Sequence, residues 1–110
     1  MNDPETHSPT PISAGELLGA RVHLPQHVVY RSFVAETVVL NLNTGRYHGL
    51  NVTAGEMLEV LEAAPSVRDA VGSLARLHRQ ELGVIRADVC SLCRMLLDRG
   101  LIELDAPEQG

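Results

Sequence analysis

The sequence predicts an α+β fold: a winged helix-turn-helix in which a three-stranded antiparallel sheet is followed by three helices. Three observations carry this. β-Branched residues crowd the stretches "RVHLPQHVVYRSF" and "ETVVLNL", whereas helix caps and helical apolar spacing appear only after them. A chain of 110 residues has room for one small core. Strands first and helices afterwards place the helices on one side of a small sheet.

The domain organisation follows from composition. Residues 1–20 carry Pro4, Pro9 and Pro11 among polar residues and read as a flexible N-terminal arm, with "GELLG" as a segment able to dock. The domain is expected over residues 21–105, and residues 106–110 form a disordered tail.

The first strand lies in "RVHLPQHVVYRSF" and is broken at Pro25. The second, "ETVVLNL", puts Val38, Leu40 and Leu42 on one face and Val39 and Asn41 on the other. Asn43, Thr44 and Gly45 fit a three-residue hairpin loop closed by a glycine bulge, because glycine enters the left-handed region without steric cost. "RYHGL" follows as the third strand, antiparallel to the second.

The first helix, about residues 53–64, is announced by a Thr53 cap and Glu56 three residues later, and Pro65 ends it. Met57, Leu58 and Leu61 are its core residues. Ser66 and Asp69 repeat the cap signature for a second helix, with Val67, Ala70, Val71, Leu74 and Leu77 inward and Gly83 as its C-terminal cap. "RADVCSLCRMLLDRG" is the third helix, with Val89, Leu92, Cys93 and Leu96 inward and Gly100 after its end. "LIEL" adds a last short strand.

Composition narrows the function. The chain has no Lys, nine Arg and fourteen Asp plus Glu, a net charge of −5 that repels phosphate backbones. Nucleic acid is therefore not an expected partner, although the winged-helix outline keeps a DNA-binding regulator as an alternative. No apolar run approaches the roughly 18 residues of a membrane span, and the start lacks the pattern of a secretion signal. A cytoplasmic protein with no membrane partner is expected, and a monomer.

Catalytic constellations are not legible. The pair in "CSLC" lies inside a helical pattern with no second Cys or His pair to complete a zinc site, so Cys90 and Cys93 read as helix-packing residues with free thiols. His7, His23, His27, His48 and His78 are scattered, and His78, four residues after Leu74, reads as a half-buried structural imidazole. No nucleophile has a base at readable spacing, and no glycine loop is placed to cradle a phosphate. The expectation is a protein that is not an enzyme, with no cofactor and no metal.

At "VVLNLNTGRYHGLNVTAGEML" and "DVCSLCRMLLDRGLIEL" the chain resembles the PqqD family of peptide chaperones, the recognition elements that bind leaders of ribosomally made natural products. The resemblance covers Val22 to Leu104. It implies that a leader peptide pairs as an extra strand on the third strand and lies against the third helix. Carried over to this chain, Arg46, Tyr47, His48 and Gly49 form the edge strand. Cys90, Arg94 and Leu97 share one side of the third helix beside the core row, with Cys93 bordering it, and line the groove; Arg94 is the partner for a leader acid.

The free-standing chain looks most like the recognition partner in lasso-peptide biosynthesis, which implies delivery of a precursor to a separate cysteine protease and a macrocyclising enzyme. The alternative within the family is a chaperone for a quinone-cofactor precursor and a radical enzyme. A structural subunit with a permanent partner on the same edge is a third reading. An unpaired edge is ordinarily covered or charged, so a bare one serves as a template for another chain. Placing Pro at His48 is expected to abolish such pairing while the fold survives.

Overall fold

The structure, a computed structural model, describes residues 12–106. Its elements are α1 (Ala14–Gly19), β1 (Arg21–His23), β2 (Val28–Ser32), β3 (Thr37–Asn41), β4 (Tyr47–Leu50), α2 (Val52–Ala63), α3 (Val67–His78), α4 (Leu82–Asp98) and β5 (Glu103–Asp105). β2, β3 and β4 form the three-stranded antiparallel sheet, and α2, α3 and α4 follow it.

Two additions frame this arrangement. β1 and β5 pair antiparallel as a separate two-stranded sheet, so Pro25 divides the first predicted strand between two sheets. The segment assigned to the arm also contains α1, whose Leu17 is fully buried. A reciprocal capping box starts α1: Ser13 Oγ accepts from the Glu16 N–H, and the Ser13 N–H donates to Glu16 Oε1, each at 3.1 Å. The Val67 N–H donates to the Ala20 carbonyl at 2.8 Å, which ties the end of this segment to the start of α3. The predicted arm therefore docks from Ile12 onward, whereas residues 1–11 of the arm and 107–110 of the tail lie outside the described residues.

The core is aliphatic, as the scarcity of aromatics requires. Met57, Leu58 and Leu61 of α2, Val67, Ala70, Val71 and Leu74 of α3, and Val89, Leu92, Cys93 and Leu96 of α4 are buried. They pack with Leu17, Val22, Val28, Val39, Leu50, Leu101 and Ile102 into one cluster. Leu77 departs from its expected place and is 61% exposed, whereas His78, the last residue of α3, is half-buried.

Several boundaries differ from the predicted ones for identifiable reasons. Asn51, not Thr53, caps α2: its Oδ1 accepts the Ala54 N–H at 2.8 Å. Glu56 Oε1 instead lies 2.8 Å from His78 Nε2 of α3, at ion-pair distance but without hydrogen-bond geometry. α3 stops at His78 because Arg79 itself takes the left-handed conformation, with φ 54° and ψ 46°. Gly83 consequently falls in the first turn of α4, which begins at Leu82. Ser66 does cap α3 through the Asp69 N–H, and Gly100, with φ 70°, follows α4.

At Gly55 the helix layer meets the sheet. A Cβ there would overlap the Thr37 side chain on β3, so glycine permits the close approach of α2. Buried Thr37 is satisfied by Ser32 Oγ at 3.0 Å.

Candidate functional site

The β3–β4 hairpin determines which groups of the edge strand are available. Its loop is Leu42–Gly45, one residue longer than predicted, because the Leu42 N–H continues the ladder to β2 by donating to the His27 carbonyl at 2.7 Å. Asn41 builds the turn. Its Oδ1 accepts the N–H groups of Asn43 at 2.9 Å and Thr44 at 3.2 Å, and its carbonyl accepts the Gly45 N–H at 2.8 Å. Gly45 has φ 76°, the left-handed residue expected of it. Thr44 Oγ1 takes the Arg46 N–H, so Arg46 flanks the loop and the strand proper begins at Tyr47.

The Asn41 N–H donates to the Arg46 carbonyl at 2.9 Å, which marks this pair as hydrogen-bonded. Antiparallel pairs alternate, so with the register Val39↔His48 and Thr37↔Leu50 the next bonded pairs are those two. Leu40↔Tyr47 and Val38↔Gly49 are the non-bonded pairs between them. The N–H and C=O groups of Tyr47 and Gly49 therefore point away from β3, and among the described residues none of the non-ladder backbone bonds uses them. β4 is a free edge with two donors and two acceptors facing out. The His48 N–H belongs to the β3 ladder, so the expectation that Pro at His48 leaves the fold intact is overturned: it would break the hairpin.

Side chains alternate in the opposite sense to the backbone groups. Val28, Val39 and Leu50 are buried on the inner face of the sheet, which His48 shares through its pairing with Val39. Tyr47 stands on the outer face with Val29 and Leu40 in one row, and is 71% exposed. The apolar trio Val38, Leu40 and Leu42 is thus on the outer side, and Val39 alone carries the β3 core contact.

The sheet has a second edge, β2, whose inner side chains are tied to α2. The Tyr30 hydroxyl donates to Glu62 Oε1 at 2.7 Å, and Ser32 Oγ donates to Glu59 Oε2 at 3.0 Å. Burial, reinforced by Glu62 and Glu59, raises the Tyr30 phenol above its ordinary range and keeps it neutral. Beside β4 the arrangement differs. Asn41, Thr44, Arg46, His48 and Arg99 line a pocket, and Arg99 Nη1 lies 2.9 Å from His48 Nδ1.

The predicted residues divide in two. Arg46, Tyr47, His48 and Gly49 lie on or beside β4, whereas none of the α4 set lines the pocket there. Cys93 is fully buried and Cys90 is 9% exposed; both are free thiols and both belong to the core. Burial, and then the neighbouring Cys90, push the Cys93 thiol up to about 12, which makes it inert as a nucleophile. Arg94 Nη1 donates to the Ile12 carbonyl at 2.9 Å, so it holds the N-terminal segment rather than facing β4. Leu97 is half-buried against the core.

Arg99 is the C-cap of α4, one residue past its last helical residue. It is the α4-end residue that reaches β4, and it was missed because periodicity identifies a helix's buried side but not which flank meets the sheet. Among the described residues no group of three or more His, Cys, Asp or Glu is placed to hold a metal ion. No helix among them is long and apolar enough to cross a membrane.

A winged helix-turn-helix whose wing ends in a strand with an outward-facing backbone defines the class: a peptide-sized edge beside a helical layer. The chain belongs to the PqqD family, since the family model described as coenzyme PQQ synthesis protein D matches residues 36–102. Two solved structures share its fold. TbiB1 in complex with the TbiA(beta) leader peptide is 24% identical, with a TM-score of 0.64, covering 73% of this chain and 93% of that one. Lasso peptide synthetase B1 complexed with its leader peptide is 22% identical, with a TM-score of 0.66, covering 76% of this chain and 99% of that one. No curated protein matches the chain at a significant level.

Proposed function

We propose that this protein is a noncatalytic adaptor that binds the leader of a ribosomally made precursor peptide and delivers it to separate processing enzymes. The observation that carries the reading is the outward-facing backbone of Tyr47 and Gly49, an unpaired template beside the pocket at the end of α4. The likeness to two proteins solved with leader peptides, one of them a lasso peptide synthetase B1, supports it. The recipients in this reading are a cysteine protease that removes the leader and an enzyme that closes the macrocycle, all acting in the cytosol.

Strand pairing alone gives little affinity. Each backbone bond contributes about 0.5–1.5 kcal/mol net, while ordering a flexible peptide costs about 2–5 kcal/mol. Side-chain contacts beside β4 therefore supply most of the binding and the selectivity. The test is fluorescence anisotropy with labelled leader segments of small precursor peptides encoded beside this protein. Dissociation constants near or below about 1 μM, lost on scrambling the leader, are expected; a folded protein that binds none of them contradicts the reading.

The family description favours a second reading of the same edge, in which the peptide is a quinone-cofactor precursor and the recipient a radical enzyme. Binding to one class of leader and not the other separates the two.

A further inference from the structure

The pocket beside β4 is cationic in a chain whose net charge is −5. Arg46 and His48 enter it from the edge strand and Arg99 from the end of α4, with Asn41 and Thr44 completing the wall. No carboxylate lies within ion-pair distance of either arginine among the described residues: the ion pairs there are those of Arg21, His23 and His78. A guanidinium has donors only, so the 2.9 Å contact from Arg99 Nη1 requires the lone pair of His48 Nδ1 and places the ring proton on Nε2. His48 thereby fixes Arg99 at the mouth of the strand edge and leaves its other donors free.

We infer that this pocket captures a carboxylate side chain, Asp or Glu, of the peptide that pairs with β4, and that Arg46 and Arg99 are the specificity-determining residues. The inference rests on the leader-binding reading and adds the chemistry of the residue selected. Inner-facing positions of an added strand recur every second residue, level with Arg46, His48 and Leu50, so an acid in that phase reaches the pocket while the peptide backbone on either side of it bonds Tyr47 and Gly49. A planar guanidinium binds a carboxylate through two parallel N–H bonds, a stronger and more directional contact than a neutral hydrogen bond. The chain's net charge of −5 gives an acidic peptide no general attraction, so an acid held in the pocket also fixes register.

The experiment uses a phage-displayed library of random twelve-residue peptides, selected in parallel on the full-length wild-type protein and on the double variant Arg46→Gln, Arg99→Gln. Circular dichroism checks that both are folded. Wild type is expected to enrich peptides with Asp or Glu at one aligned position. Exchanging that acid for its amide should weaken binding to wild type about tenfold and to the double variant less than about twofold, as expected for a charge-assisted bond. Equal enrichment of acids by both proteins, or acid-free binders from both, overturns the carboxylate pocket while strand addition stands. No enrichment on folded wild type overturns the pocket and the peptide-binding reading together.

Discussion

Replacing Gly49 by Pro is expected to abolish leader binding while the domain stays folded, and replacing it by Ala is expected to leave binding within a few-fold of wild type. The Gly49 N–H faces away from β3, so proline deletes a group that the fold does not use and an added strand does. The comparison with alanine isolates that group, because both substitutions add a Cβ. At Gly49 the added atom meets only the Glu36 carboxylate, 2.8 Å away at the end of a flexible side chain that can swing aside. Loss of one backbone bond, together with the ring's obstruction of the edge, is expected to raise the dissociation constant at least tenfold, about 1.4 kcal/mol or more. Thermal unfolding should show both variants close to wild type. The same substitution at His48 should fail to fold, since that N–H belongs to the β3 ladder.

Replacing Leu17 by Ala is expected to cost about 2–5 kcal/mol of stability, the range for deleting a buried leucine side chain without full collapse of the cavity. Leu17 is fully buried on a helix of only six residues, which cannot sustain itself in water and is held by packing against α3 and α4. Urea unfolding reads this as a lowered midpoint with an unchanged slope. An arm that is merely draped on the domain would lose less than about 0.5 kcal/mol on the same change.

That second prediction marks where the sequence was least legible. Ser13 and Glu16 spell a capping box, but three prolines upstream and two glycines in "GELLG" gave the surroundings the composition of a mobile arm. Packing, not propensity, stabilises α1. The three-stranded sheet, three following helices and most of the core were legible, because β-branched runs and i, i+3, i+4 spacing report burial directly. Arg79 was not legible as the end of α3: a non-glycine residue in the left-handed region is uncommon, and Gly83 offered the more usual signal.

The site divides along the same line. The hairpin was legible through Gly45 and the alternation around it, although Leu42 joined the loop and shifted the expected pairing by one residue. That shift matters, because the phase decides that Tyr47 and Gly49, not His48, present their backbone groups. The expectation of a basic residue for a peptide acid pointed to Arg94, whose guanidinium instead holds the Ile12 carbonyl. Arg99 lies just past the end of α4, outside the helical pattern that drew attention to the α4 set, and only the three-dimensional approach of α4 to β4 brings it to His48.

The most direct measurement is amide hydrogen exchange, residue by residue, with and without a saturating leader segment that binds in the anisotropy assay. Strand addition to β4 predicts that the Tyr47 and Gly49 amides, free in the unbound protein, slow markedly on binding, while the His48 amide is already protected by β3 and changes little. Saturated binding that leaves Tyr47 and Gly49 exchanging at their unbound rates would contradict pairing on this edge.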